Sequence, residues 1–216
     1  VIDGLAPGIK LDLDLIHSKL NLRKPQGKIS TQRHEADEFK FLSGYFNGYT
    51  TGTPLSVIIE NKSQHSKDYE KTKDFMRPSH ADYTAHVKYE GFEDYRGGGH
   101  FSGRITAALV IAGAICTQIL ESKGITIGTH IQKLSTHIDS SFSQDTKECE
   151  QQVKRLSTKY FPTLSEKVEE DMIQTIETMQ AQGDSIGGVL ESIVLNMPAG
   201  IGEPFFNSIE SKLAQL

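Results

Sequence analysis

The sequence predicts an α+β fold built on antiparallel sheets, and three observations carry that expectation. Asn47-Gly48, the strongest short-range hairpin signal, sits inside an alternating apolar stretch over residues 39–60. Strand-like and helix-like segments follow one another in mixed order, without the strict strand–helix alternation of a doubly wound parallel sheet. A long apolar helix, residues 105–120, carries Ala107, Ala108, Ala112, Gly113 and Ala114 and so suits tight packing against neighbours on several sides. With 216 residues and 37% hydrophobic composition, one domain spanning 1–216 with a sizeable core is expected.

The elements read in order as follows. "VIDGLAPGI" suggests a short strand entering a Pro-Gly turn, and "LDLDLIHSKLNLR" a helix with Asp12 as its N-cap. Residues 22–33 place Arg23, Lys24, Lys28 and Arg33 around a Pro and a Gly, a pattern too irregular for helix or strand. Residues 66–75 and 80–90 read as short helices or loops before the apolar helix, which closes at Lys123-Gly124. "GITIGTHIQKLST" and "GGVLESIVLNMP" read as strands, and residues 146–157 and 164–182 as amphipathic helices. A last helix is expected through Phe206, Ile209, Leu213 and Leu216.

Composition excludes several classes. The net charge of −5 argues against a nucleic-acid binder, which needs a basic face to recruit phosphates. That charge is unevenly spread, at +1 over residues 1–104 and −6 over 105–216, so cations able to meet an anionic ligand lie mainly in the first half. Cys116 and Cys149 form no CxxC, which fits neither a zinc site nor a disulfide framework and suggests a reducing, cytoplasmic setting. The apolar run of residues 105–120 is short for a membrane span and is broken by Thr117-Gln118, so no membrane partner is expected. Nothing at Val1 reads as a signal peptide, and the abrupt ends suggest an internal piece of a longer protein.

Chemistry concentrates in "YRGGGHFSGR", residues 95–104, with four glycines and two arginines directly before the apolar helix. Backbone N–H groups at Gly97–Gly99, the Ser102 hydroxyl, Arg104 and the helix start would together cradle an anion. The competing reading is a glycine turn packed close to a core helix. The spacing matches neither a P-loop nor a dinucleotide fingerprint. In "RPSHAD", Arg77 and His80 offer a cation beside a group that titrates near neutral pH, against the alternative of a structural hydrogen-bonder. His80, His86 and His100 lack metal-ligand spacing, and no G-x-S-x-G supports a nucleophile. The basic loop at 22–33 reads either as a lid over an anionic substrate or as a solvated surface loop.

Six stretches, "IDGLAPGI", "SGYFNGYTTGTPLSVIIEN", "RPSHADYT", "KYEGFEDYRGGGHFSGR", "GDSIGG" and "GIGEPFF", occur in the order found in chorismate synthases, and together the chain resembles that family throughout. The resemblance implies a β-α-β sandwich with helices between antiparallel sheets, usually a homotetramer. It implies 1,4-elimination of phosphate from 5-enolpyruvylshikimate 3-phosphate to give chorismate, the seventh step of the shikimate pathway. Reduced FMN is required there without net redox change, and NADPH serves some members as reductant.

Residue by residue, the resemblance implies that His80 protonates or stabilises the reduced flavin and that Arg77 contacts substrate. It places His100, Phe101 and Ser102 on the flavin, Arg104 near flavin and substrate, and Arg23 and Lys28 on a loop that binds substrate or NADPH. Many relatives have R-S-S-A-R where this chain has "HFSGR", and "RKPQGKIST" is one residue shorter than the common loop. The family's G-E-S-H-G segment, with a second histidine, would precede Val1, and further chain would follow Leu216, so the 216-residue piece alone is expected to be inactive. The alternative reading is a non-catalytic scaffold that binds an anion or a nucleotide.

Overall fold

The structure, a computed structural model, describes residues 1–30, 36–61, 75–78 and 80–215. They fall into two compact units, Val1–Pro25 with Thr31–Cys116, and Gln26–Ser30 with Thr117–Leu216.

In the first unit, helix α1 (Leu13–Arg23) starts where the sequence places it: the Asp12 carboxylate accepts the Leu15 N–H at 3.0 Å, satisfying a donor that the first turn leaves unpaired. Its Ile16 and Leu20 are buried. Strand β1 (Phe39–Ser43) runs antiparallel to β4 (Ser56–Ile59), and between them β2 (Tyr45–Phe46) and β3 (Tyr49–Thr50) form the expected hairpin. Asn47 and Gly48 have φ of 48° and 89°, the left-handed pair that a two-residue turn between twisted strands requires. The opening segment is not a strand. It makes only single bridges, Ile2 to Leu55 and Lys10 to Tyr49, because the Pro7-Gly8 turn interrupts it. The buried Thr50 hydroxyl holds that turn, donating to Ala6 C=O at 2.7 Å and accepting from Ile9 N–H at 2.9 Å.

Helix α2 (Asp82–Lys88) follows; most of the segment expected at 66–75 lies outside the described residues. Two short 3₁₀ turns, Arg96–Phe101 and Gly103–Ile105, then lead into α3 (Thr106–Glu121). This helix departs from expectation. Ala107, Ile111, Ala114 and Ile115 form one buried face, while Ile105 and Leu109 stand 52% and 69% exposed. The described residues thus cover one side of a helix that is apolar on most sides. Residues Gly103–Glu121 are long and apolar enough to cross a membrane by length and composition, but a buried face of that kind is also what a core helix has.

In the second unit, β5 (Thr126–Leu134) is the middle strand of an antiparallel sheet, between β6 (His137–Ile138) and β7 (Gly188–Leu195). Helix α4 (Thr146–Leu156), capped by Asp145, buries Cys149, Val153 and Leu156 with Phe142, against Ile193 and Leu195 of β7. The approach is close enough to dictate Gly128, where a Cβ would stand 2.5 Å from a Val153 methyl. Helix α5 (Glu166–Gln182) begins at the Ser165 cap, ends at left-handed Gly183, and is tied to Lys159 through Glu169. The last helix, α6 (Ile209–Gln215), starts later than the sequence suggests. Phe205 and Phe206 lie before it and are exposed.

Candidate functional site

The first unit contains a cleft of about 360 Å³ where "YRGGGHFSGR" meets β4 and the first turns of α3. Its apolar wall is Val57, Ile59, Ile105, Ala107, Ala108 and Ile111. Its polar wall is Asn61, Arg96, Gly99, Ser102 and Arg104. Of the residues singled out in the sequence, Ser102 and Arg104 line this cleft, while His100 and Phe101, adjacent in sequence, do not. The first 3₁₀ turn ends at Phe101 and Ser102 leaves it with an extended backbone (φ −70°, ψ 134°), so the chain changes course between the two. Phe101 is instead exposed on the surface.

The glycine run has a local reason as well. Gly99 has φ of 51°, and a Cβ there would lie 2.4 Å from the Asp94 carbonyl oxygen. Only glycine closes this turn, and the turn brings the Gly99 backbone to the cleft wall. The two readings of the stretch, anion cradle and tight turn, therefore describe the same residues.

Arg104 is set from behind. Its Nη1 donates to Asp37 Oδ1 at 3.0 Å, and Asp37 Oδ2 takes Nη1 of Arg23 at 3.4 Å. The Asp37 side chain is only 2% exposed, while the arginines are about a quarter exposed. Burial, and then the like charge of Arg23, pull the Arg104 guanidinium below its usual value, although an arginine stays charged throughout the neutral range. Two guanidiniums thus share the Asp37 carboxylate beside a half-apolar cleft. Arg23 is committed inward: Nε donates to Thr106 Oγ1 at 3.3 Å, and Nη2 to the carbonyls of Gly103 and Arg104 at 3.2 Å each.

Arg77 and His80 belong to a second cluster, centred on Asp82 at the start of α2. Arg77 grips that carboxylate with Nε at 2.7 Å and Nη2 at 2.8 Å, and its own N–H adds a bond at 3.0 Å. The Arg77 hydrogen bond, opposed by burial, holds the Asp82 carboxyl well below the usual carboxylate range, so it stays ionised. His80 Nδ1 lies 2.7 Å from Asp82 Oδ1 and 3.1 Å from Arg77 Nη2. One nitrogen cannot donate to the first and accept from the second. The shorter contact, to an ionised acceptor, assigns the Nδ1 proton to Asp82 and leaves Nε2 as the site that exchanges a proton.

His86 pairs with Glu93 at 2.9 Å, and Arg96 with Asp94 at 2.7 and 2.8 Å. Among the described residues no group of three or more His, Cys, Asp or Glu side chains could hold a metal. Lys28 lies in the second unit, on the turn after α1, where Gln26 N–H bonds to Tyr160 Oη and Ser30 Oγ; Arg33 is outside the described residues. Sequence reasoning missed Asp37 and Thr106, which lie far along the chain from the arginines they meet, and Arg96 as a cleft residue. It also passed over Asp82, although "RPSHAD" places it two residues from His80.

As a class, an α+β chain with Arg96 and Arg104 beside an apolar wall in one cleft has the kind of lining that an organic anion would need. The comparisons narrow that class: the family model for chorismate synthase matches residues 1–216, so this chain belongs to the chorismate synthase family. It is 42% identical over 214 residues to chorismate synthase of Pyrococcus abyssi, covering 99% of this chain and 58% of that protein. It is 42% identical over 218 residues to the enzyme of Lachnoclostridium phytofermentans, covering 100% of this chain and 57% of that protein. A crystal structure of chorismate synthase superposes with a TM-score of 0.68 at 25% identity, over 93% of this chain and 55% of that one. The α+β fold expected from the sequence is thereby shown. The chain spans about 58% of the length of the curated relatives it matches.

Proposed function

We propose that the full-length protein containing this chain is a chorismate synthase, removing phosphate and a ring proton from 5-enolpyruvylshikimate 3-phosphate by 1,4-elimination. The observation that carries the reading is the cleft, where Arg104 and Ser102 present donors opposite a wall of Val57, Ile59, Ile105 and Ile111. A flavin has an apolar ring system and a phosphate tail, and this donor set fits both. Ser102 and Arg104, with Arg96, are the residues here that would hold reduced FMN. Bound reduced FMN supplies electron density that allows the carbon–oxygen bond to phosphate to break with no net oxidation.

The remaining roles belong to this chain's own side chains. Arg104, fixed by Asp37, offers a charge that strengthens its hold as negative charge gathers on the departing phosphate, and such differential binding accelerates a reaction. The apolar wall excludes water and so deepens that interaction. His80 holds or releases a proton at Nε2 while Asp82, kept ionised by Arg77, fixes its tautomer. Arg77 is assigned to substrate by family resemblance while Nε and Nη2 hold Asp82, and Arg23 acts through Arg104. Lys28 supports the reading by its charge alone, for substrate or for NADPH as reductant. A cytoplasmic homotetramer is the assembly we assign by family membership.

The test is anaerobic turnover of 5-enolpyruvylshikimate 3-phosphate by the full-length protein with dithionite-reduced FMN. Chorismate and inorganic phosphate should appear in equal amounts. If FMN binds and neither product forms, the cleft belongs to a binding scaffold instead.

A further inference from the structure

Asp37 stands out from the other carboxylates of the first unit. It is nearly buried, it touches two arginines with different oxygens, and it is a non-glycine residue with φ of 49°. A left-handed backbone at a non-glycine residue costs free energy, least for Asn and Asp, and persists only where the surroundings hold it. Here the holding groups are Arg23 and Arg104. A buried carboxylate is itself unfavourable unless paired, so burial drives both guanidiniums toward it.

The two arginines are not equivalent. Nε, Nη1 and Nη2 of Arg23 all donate to Thr106, Asp37 and the carbonyls of Gly103 and Arg104, while Arg104 lines the cleft. Arg23 therefore fixes the backbone of residue 104 and Asp37 fixes its guanidinium. Resting on the reading of the cleft given above, we propose that Asp37, braced by Arg23, is a positioning residue that presets Arg104 for the anionic group of its ligand. Orienting the guanidinium in advance removes rotamer entropy that would otherwise be lost on binding.

The experiment is a double-mutant cycle in the full-length protein, pairing Asp37→Asn with Arg104→Ala. Asn suits the left-handed backbone and nearly matches Asp in shape, and Asp37→Gly removes the side chain while keeping that conformation available. Both readouts, KM for 5-enolpyruvylshikimate 3-phosphate and Kd for FMN, are taken beside the thermal midpoint. Asp37→Asn should raise one of the two constants about tenfold in the native background and leave it within about twofold once Arg104 is Ala, because positioning acts through that side chain. Asp37→Gly should behave alike. Any loss of thermal midpoint should persist in both backgrounds, since it does not depend on ligand.

Equal effects of Asp37→Asn on ligand constants in both backgrounds, or no effect in the native one, would overturn the proposal. Should Asp37→Asn not fold, Asp37→Gly decides by the same comparison; should neither fold, Asp37 is a folding residue and the proposal fails. Native protein that binds FMN but makes no chorismate refutes the enzymatic reading alone, and the FMN arm still decides the role of Asp37.

Discussion

Two charged clusters, one in each unit, use similar groups to opposite ends. In the first, two arginines share the Asp37 carboxylate and Arg104 opens on a cleft. In the second, His130 is fully buried between two carboxylates: Nε2 meets Glu191 Oε2 at 2.8 Å, and Nδ1 lies 3.4 Å from Asp139 Oδ2 without making a hydrogen bond. Burial works to raise the Glu191 carboxyl, and hydrogen bonds from His130 and the Phe142 N–H outweigh it, leaving it below its usual value. Asp139 accepts the N–H groups of Ser140, Leu164 and Ser165. The carboxylates around His130 tie β5, β7 and the 139–165 loops together. Apart from His130 Nδ1, the polar groups named in this cluster are engaged inside the fold, as in a structural cluster, whereas Arg104 is held by Asp37 and also lines a cleft that can meet a ligand.

The largest effect should come from breaking the closed cluster. His130→Ala would leave Glu191 and Asp139 without their histidine, and a stability loss of about 3 kcal/mol is expected. Urea unfolding measures it; a loss below about 1 kcal/mol would place His130 outside the set of structural residues. Next in size is His80→Ala, expected to reduce kcat on the order of 100-fold while FMN affinity changes little, as befits a proton-transfer group. Wild-type kcat under saturating reduced FMN would end that assignment.

Arg104→Ala should show the opposite pattern to His130→Ala. Asp37 retains Arg23, so stability should fall by only about 1 kcal/mol, while affinity for FMN or substrate drops about tenfold or more with loss of a charge-assisted bond. Calorimetry on the full-length protein reads both, and unchanged affinities would remove Arg104 from the site. The smallest effect is acid sensitivity at Asp82. Its folded carboxyl lies below the ordinary 3.8, so its stabilising contribution is complete above that value and is lost as pH falls through the depressed one. Asp82→Asn should remove that part of the acid-unfolding slope. At neutral pH it should cost under about 1 kcal/mol, because the pair with Arg77 is partly exposed. An unaltered acid profile would mean that the cluster carries no linkage.

Local chemistry made much of this legible in the sequence. Asp12 as N-cap, Asn47-Gly48 as hairpin turn and the amphipathic stripes of α4 and α5 are set by short-range sterics and periodicity, and each appears where expected. The motif order carried the family, and "RPSHAD" contained the whole His80 cluster, because its members lie within six residues. The opening segment failed as a strand because a bridge needs a partner as well as a propensity, and the Pro7-Gly8 turn leaves room for only single bridges.

What the sequence could not show is which distant groups meet. Asp37 and Arg104 are 67 positions apart, and no spacing rule joins them. The separation of Ser102 from His100 and Phe101 follows from the end of a 3₁₀ turn at Phe101, invisible in composition, and the exposed side of α3 from which neighbours the chain provides. Sequence by itself determined the caps, turns, periodicity and family, because those depend on residues a few positions apart. Tertiary structure decided which charges are paired inward and which face the cleft, because pairing and burial depend on distances that only the folded chain sets.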